Sequence, residues 1–254
     1  MFLNKDHINF LKKLTFLRLW NGFKLWISYH TSRIFKKNWL WGTPLAISIE
    51  PTTACNLGCP ECPSGLKAFT RKTGNLNKEL NEKIINEAAG TLLYANYYFQ
   101  GEPFINPNFL EMVAYASKKN IHTSTSTNAH FISKEVAEKT VKSGLDRLII
   151  SIDGTTQETY ESYRVHGSLE KVIEGTKNIL QAKKELKSST PHIIFQFLVV
   201  KPNEHQIEDI KTLGFELGVD EVRFKTAQVY DYKNGNRLIP EIEKYSRYRK
   251  NSDG

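Results

Sequence analysis

Between residues 43 and 230, short apolar runs rich in β-branched residues alternate six times with longer helical stretches. Strands are predicted at residues 45–50, 94–100, 121–127, 147–152, 193–199 and 221–225, and helices at 77–89, 109–119, 133–143, 168–187 and 204–217. Such alternation indicates an α/β fold with a parallel sheet. The intervals suit a doubly wound sheet or a barrel, and both folds place their sites at the carboxyl ends of the strands.

All three cysteines of the chain, Cys55, Cys59 and Cys62, follow the first predicted strand. Three thiols cannot all pair in intramolecular disulfides, so metal ligation is the better use of such a cluster. A zinc site normally has four protein ligands and would need a histidine or carboxylate from elsewhere. An iron–sulfur cube is normally held by four thiolates, so three would leave one iron open to a substrate or cofactor.

The spacing Cys55-x3-Cys59-x2-Cys62, within the letters CNLGCPECPSG, resembles the cluster motif of the radical S-adenosylmethionine (SAM) superfamily. It looks most like the branch whose members often carry a C-terminal SPASM domain. The resemblance, which covers roughly residues 44–230, implies a partial (β/α)6 TIM-like barrel of parallel strands. It also implies one [4Fe-4S] cluster held by the three cysteines, with SAM on the open iron. Reductive cleavage of SAM to a 5′-deoxyadenosyl radical would then abstract hydrogen from a substrate.

The resemblance further assigns SAM contacts to the ends of the later strands. The segment Gln100-Gly101-Glu102-Pro103 stands where the family reads Gly-Gly-Glu-Pro, so Glu102 keeps the acid that meets the SAM amino group while Gln100 replaces a glycine. Arg164 suits the SAM carboxylate because a guanidinium can bind both oxygens. The remaining predicted contacts are Ser126, Asn128, Ser151, Val200 and Lys225. A turn that caps the next helix is an alternative role for Ser126 and Asn128.

Glu61 and five of the histidines also bear on the predicted site. Glu61 occupies the position where the family often has an aromatic residue near the adenine. The histidines at 122, 130, 166, 192 and 205 show no metal-ligand spacing, and we predict that they lie in solvent or in turns. The glutamate at position 61 puts one adenine contact in question. Because the histidines lack metal-ligand spacing, the cysteines remain the predicted metal ligands.

Residues 1–42 form a separate basic and aromatic arm, predicted to be helical. The arm has eight basic residues against Asp6 alone, and so carries most of the net charge of +8, and it contains all four tryptophans. It has no apolar run of the ~20 residues that a transmembrane helix needs. Three interpretations stay open: an interfacial helix on an anionic membrane, a nucleic-acid contact, or a helix packed on the barrel. Its polar positions do not gather on one clean face.

The composition bounds the class of protein. Hydrophobic residues make up 40% and charged residues 24% of the 254, as in ordinary globular proteins. The three cysteines favour a reducing compartment, which predicts a cytoplasmic protein, with the arm allowing peripheral contact at the inner membrane surface. Residues 231–254 are polar and contain no further cysteine. Either the chain never had the cysteine-rich domain of the SPASM branch, or, as we favour, these residues are a linker whose following domain was lost by truncation.

The predicted function is therefore a radical SAM enzyme that acts on a peptide or protein side chain. A small metabolite or an RNA is the alternative substrate, although a specific nucleic-acid partner is not expected. The electron donor is expected to be a flavodoxin or a ferredoxin. The rival from another class is a non-catalytic module that binds zinc or a cluster.

Overall fold

Six parallel strands form one open sheet in the computed structural model, which describes residues 4–249. The strands are β1 (Ala46–Ser48), β2 (Tyr94–Asn96), β3 (His122–Thr127), β4 (Arg147–Ser151), β5 (His192–Val199) and β6 (Glu221–Thr226), and they stand side by side in chain order. The helices are α1 (Lys5–Lys12), α2 (Phe16–Phe35), α3 (Lys78–Ala88), α4 (Phe109–Lys118), α5 (Lys134–Lys142), α6 (Gln157–Tyr163), α7 (Leu169–Glu185) and α8 (Ile207–Leu217).

This sheet confirms the predicted α/β fold, a partial six-stranded barrel. The central strands are apolar because both of their faces are covered, and Leu148, Ile150, Ile193 and Phe195 are fully inaccessible to solvent. Strands β1 and β2 are shorter than predicted, since the backbone after each turns into the loops that line the site. The predicted helix at 204–217 begins as a short 3-10 turn before α8, and the seven-residue helix α6 was not predicted.

Helix α1 is fixed at the amino-terminal ends of the strands by a buried ionic network. Asp6 is fully buried, and it accepts hydrogen bonds from Arg147 Nε at 2.9 Å and His122 Nε2 at 3.2 Å. Burial alone would raise the pKa of Asp6, but the bonds from these two side chains outweigh it and hold the pKa well below its usual range. The prediction of a solvent or turn position is wrong for His122, which is wholly buried against Asp6, and for His192, which is buried at the start of β5.

Arg18 joins α2 to the same end of the barrel. Its guanidinium donates to the backbone carbonyls of Ala89 (3.2 Å) and Lys119 (3.3 Å), which are the residues that end α3 and α4, and to that of Asn120 (2.7 Å). The last carbonyls of a helix lack partners within the helix and carry partial negative charge, so a buried cation is stabilised there. The N-terminal arm therefore covers the end of the barrel where the strands begin.

Residues 231–249 pack back on the barrel beyond β5 and β6. Leu238 is buried beside Val200, and its carbonyl accepts a hydrogen bond from Lys201 N at 3.2 Å. Arg247 Nε donates to Thr226 Oγ1 at 2.7 Å. This part of the predicted linker thus covers the outer flank of the last two strands, and residues 250–254 lie outside the described residues.

Candidate functional site

A cavity of about 140 Å³ opens at the carboxyl ends of β1 to β4. Its lining includes eight of the side chains predicted from the sequence, namely Cys55, Cys59, Cys62, Glu102, Ser126, Asn128, Ser151 and Arg164. Parallel strands deliver their carboxyl ends to one edge, so residues far apart in the chain meet there. The structure thus brings together the predicted metal ligands and most of the predicted SAM contacts.

The three cysteines lie in one irregular loop after β1. Cys59 is buried, and Cys55 and Cys62 are half-buried. Burial raises the pKa of the Cys55 thiol to about 11 and also raises that of Cys59. Metal ligands must be thiolates, so binding of a metal here would release protons and depend on pH.

Nearby donors and the arrangement of the thiols suit a cluster. Leu57 N lies 3.5 Å from Cys55 Sγ, and Arg164 Nη1 lies 3.9 Å from Cys59 Sγ. Within residues 4–249, no three His, Cys, Asp or Glu side chains converge on a point that would hold a single ion. An iron–sulfur cube presents a separate iron to each thiolate, so three thiols around one cavity fit it.

Two glycines let this loop pass close to other backbone. Gly101 has φ +75°, and a Cβ there would lie 2.2 Å from Thr52 O. A Cβ on Gly65 would lie 2.5 Å from Cys59 N. Any side chain would therefore push the loops apart, and only glycine permits this packing.

Gln100 fills a position where the family has glycine, and its side chain points at the third cysteine. Gln100 Oε1 lies 3.5 Å from Cys62 Sγ and accepts a hydrogen bond from Ser64 Oγ at 3.2 Å. Ser64 Oγ in turn accepts the N–H of Gly101 at 2.9 Å. A polar side chain is thus accommodated beside the thiol by its own hydrogen-bond chain.

Glu102 is the buried acid of the site, with 2% of its surface exposed. It accepts hydrogen bonds from Thr127 Oγ1 and Asn128 N, both at 2.7 Å. Burial raises the pKa of Glu102 to about 7, and these two bonds oppose the shift only in part. An added cation would favour the carboxylate, so the site is suited to an ammonium group.

Arg164 is held by a fully buried carboxylate, Asp153. Arg164 Nε donates to Asp153 Oδ2 at 2.5 Å, while Asp153 Oδ1 accepts Leu198 N at 2.7 Å. Burial opposes the charge of Arg164, but the Asp153 carboxylate holds its pKa well above the ordinary value. Asp153 was not among the predicted site residues, although the Ser-x-Asp-Gly segment that contains it was the signal.

The hydroxyl and amide side chains predicted on β3 and β4 also meet. Ser126 Oγ and Ser151 Oγ are 3.4 Å apart, and Asn128 Nδ2 donates to Asn56 Oδ1 at 2.7 Å. Asn128 Oδ1 accepts His130 N at 3.1 Å, so the predicted turn is present, but it does not cap the next helix, since Ser133 caps α5. Asn128 therefore lines the cavity and shapes the turn at the same time.

Val200 and Lys225 lie away from the lining of this cavity. Val200 is fully buried, and its N–H and C=O both bond to Asn203, at 2.8 and 3.0 Å. Lys225 is an exposed residue of β6. Glu61, which replaces the family aromatic, accepts Tyr230 N at 2.8 Å and so ties the cysteine loop to the chain after β6.

Comparison with known proteins agrees with this geometry. The family model of the radical SAM superfamily matches residues 49–214. The chain is 27% identical over 175 residues to the mycofactocin maturase MftC of Mycobacterium tuberculosis (strain CDC 1551 / Oshkosh), which covers 69% of this chain and 43% of the relative. It is 26% identical over 200 residues to the PqqA peptide cyclase of Gluconobacter oxydans (strain 621H), covering 78% and 54%.

Among solved structures, Streptococcus suis SuiB bound to S-adenosylmethionine superposes with a TM-score of 0.64 at 18% identity, over 84% of this chain and 47% of SuiB. That similarity concerns the fold. The chain spans about half the length of the curated relatives it matches.

Proposed function

Because the chain belongs to the radical SAM superfamily, an enzyme family that uses a [4Fe-4S] cluster and SAM, we propose that it holds a single cluster and modifies a peptide or protein side chain. The observation that carries the proposal is the shared cavity: all three cysteines line it together with Glu102 and Arg164. When bound, the cluster and SAM supply reductive cleavage of SAM and hydrogen abstraction from a substrate.

In this proposal, different side chains of the cavity would bind the cluster and different groups of SAM. The three cysteines would hold three irons of the cluster. Glu102, buried and aimed into the cavity, would accept the SAM amino group, and Arg164, oriented by Asp153, would bind the SAM carboxylate. Ser126 and Ser151 would hydrogen-bond the remaining polar groups. Val200 and Lys225 remain proposed adenine contacts. Lys225 would act through its exposed side chain, whereas a contact with the fully buried Val200 would require the loop after β5 to move.

The test of the reaction class is formation of 5′-deoxyadenosine after anaerobic cluster reconstitution, with dithionite and SAM. We expect product from the native chain and none from Cys55→Ala, Cys59→Ala or Cys62→Ala. Ser252→Ala, which lies outside the described residues, is the matched control that should retain activity. Product that persists without the cysteines would overturn the proposal.

A peptide substrate is favoured because two of the relatives are PqqA peptide cyclases and SuiB has been crystallised with a precursor peptide. A small metabolite is the second candidate, since the chain is also 28% identical to an AdoMet-dependent heme synthase of Methanosarcina barkeri over 69% of its length. The two are separated by adding size-fractionated cell extract to the deoxyadenosine assay. Stimulation that proteinase treatment abolishes supports a peptide, and stimulation by a proteinase-resistant low-mass fraction supports a metabolite.

We also propose a small acidic carrier, such as flavodoxin or ferredoxin, as the electron donor. The loop after Cys62 exposes Lys67 and Lys72, which would attract such a carrier close to the cluster, while Arg71 beside them is paired with Glu50 at 2.7 Å. Substituting Lys67 and Lys72 by Gln should slow reduction by the carrier at low salt while leaving reduction by dithionite unchanged. Equal effects on both reductants would contradict this assignment.

The proposed location is the cytoplasm, with residues 1–42 in contact with the inner membrane surface. The support is the basic and aromatic composition of the arm together with the exposure of its aromatic side chains.

A further inference from the structure

Helix α2 has its polar side turned inward and its apolar side turned outward. Arg18, Asn21 and Ser28 are at most 3% exposed, and they fall on one side of the helix at about 100° per residue. Arg18 bonds to the ends of α3 and α4 as described above. Asn21 bonds to Thr43 O at 2.8 Å, and Ser28 to the carbonyl of Trp39. The expectation that polar positions do not gather on one face is therefore wrong for α2.

The opposite side of α2 is apolar and open to solvent. We call it the outer face; its exposed members are Phe16, Leu19, Trp20, Phe23, Trp26 and Ile34. Their exposed fractions run from 47% for Phe23 to 79% for Phe16. Exposure of so much aromatic surface to water is unfavourable. An exposed apolar patch of this kind marks an interaction site.

Charges on the arm identify the occupant of the outer face. Lys24 and Arg33 lie at the two edges of that face on a helical wheel, and Lys36 and Lys37 follow its end. The single acid of the arm, Asp6, is buried in ion pairs. Two copies of the chain would bring like charges together, whereas anionic lipid headgroups would complement them. Cations beside an aromatic and aliphatic face are the pattern of a helix that lies in a membrane interface.

No helix within residues 4–249 is long and apolar enough to cross a bilayer. Trp39 and Trp41 stack with their ring centroids 5.8 Å apart and extend the aromatic surface beyond α2. Tryptophan favours the headgroup level of membranes because its ring is apolar and its N–H is polar.

The attachment of the arm sets the orientation of the barrel. Asp6 meets the first residues of β3 and β4, while the cavity lies at the opposite ends of these strands. The six residues of β3 separate the two ends by on the order of 17 Å. We infer that α2 lies with its outer face in the headgroup region of an anionic membrane and holds the barrel with its cysteine-lined mouth facing away from the bilayer. This inference rests on the membrane contact proposed above.

Vesicle binding tests the contact. The reconstituted full chain is mixed with vesicles of phosphatidylcholine alone or of phosphatidylcholine with about 30% phosphatidylglycerol, which gives the vesicles a negative surface potential, and the vesicles are sedimented. We expect binding to the anionic vesicles, weakened at least about tenfold by Phe23→Glu with Trp26→Glu. Phe215→Glu, at a residue of α8 that is 87% exposed, is the matched control and should bind as the native chain does.

The charge contribution has its own variant. Lys24→Gln with Arg33→Gln should weaken binding roughly 25-fold, at about fivefold per cation. Equal binding to neutral vesicles, or no loss in the Phe23 and Trp26 variant, would overturn the membrane contact. A dimer in light scattering that the same variant dissociates, without vesicle binding, would assign the outer face to a second copy instead.

Hydrogen exchange by mass spectrometry tests the orientation. On anionic vesicles, amides in residues 16–41 should gain protection, and those in the loop at residues 64–74 beside the cavity should not. Protection of that loop equal to that of the arm would refute the orientation while leaving the contact intact. Neither measurement depends on SAM cleavage, so both stay informative if the proposed reaction fails.

Discussion

Replacing Asp6 by Asn should destabilise the chain, because Asp6 is the centre of the ionic network that fixes α1 to the barrel. The substitution keeps the size of the side chain but leaves the Arg147 guanidinium without its counter-ion. Breaking a buried ion pair by removing one partner costs about 3–5 kcal/mol. Since the Arg147 side chain keeps 19% of its exposure and can recruit water, we expect a loss near the lower end, about 3 kcal/mol.

The assay is urea unfolding of the cluster-free chain at pH 7, followed by circular dichroism. Asp209→Asn is the matched control, because Asp209 also lies in the first turn of a helix but is exposed. In thermal unfolding, about 3 kcal/mol corresponds to a fall in Tm of roughly 6–12 °C for a chain of this size. A loss below about 1 kcal/mol, or one equal to that of Asp209→Asn, would refute the role assigned to Asp6.

The same network predicts a pH dependence. The pKa of Asp6 is lower in the folded state than in the unfolded chain, so its stabilising contribution is complete above the unfolded value of about 4. This stabilising contribution is lost as the pH falls through the lowered pKa of Asp6 in the folded state. The stability difference between the native chain and Asp6→Asn should therefore be constant from pH 5 to 8 and narrow below about pH 4. A difference that narrows as the pH rises would contradict this sign.

Three further substitutions probe the cavity in reconstituted protein. Glu102→Gln should weaken SAM binding in equilibrium dialysis about ten- to a hundredfold by removing a charged acceptor, whereas the exposed Glu138→Gln should leave it unchanged; equal affinities would exclude Glu102 from the amino-group site. Arg164→Lys keeps the charge but loses the Nε bond to Asp153, so SAM affinity should fall about tenfold, and native affinity would show that the planar group is dispensable. Gln100→Gly should raise the cluster midpoint potential, measured by redox titration with EPR detection, because it removes the partially negative amide oxygen that faces Cys62 Sγ at 3.5 Å and disfavours the reduced cluster; an unchanged potential would disprove that contact.

Much of the barrel could be predicted because its signals are local. Each signal spans only a few neighbouring residues, as the apolar runs, the helix caps and the strand before the cysteines show. Parallel connections then bring every strand end to one edge of the sheet. Ser133, for example, was predicted near a helix start, and its side chain accepts Val136 N at the start of α5. The cavity residues followed from the same rule, together with the family motif.

The parts that escaped prediction depend on distant partners. His122 is buried because it meets Asp6, which lies 116 residues away in sequence. The packing of residues 231–249 depends on contacts such as Arg247 with Thr226, which no local pattern reveals. Helix α2 was misjudged for a related reason. Its polar residues are buried by backbone carbonyls of α3, α4 and residue 39, so an inward polar face satisfies hydrogen bonds instead of facing water.

The most direct test of the central claim is EPR spectroscopy of the reconstituted and reduced chain with and without SAM, alongside iron and sulfide analysis. One cluster held by three cysteines predicts about four iron and four sulfide per chain. It also predicts a spectrum that changes when SAM binds the open iron, and no such cluster in Cys59→Ala. A spectrum that SAM leaves unaltered, or a cluster that survives in Cys59→Ala, would contradict the account.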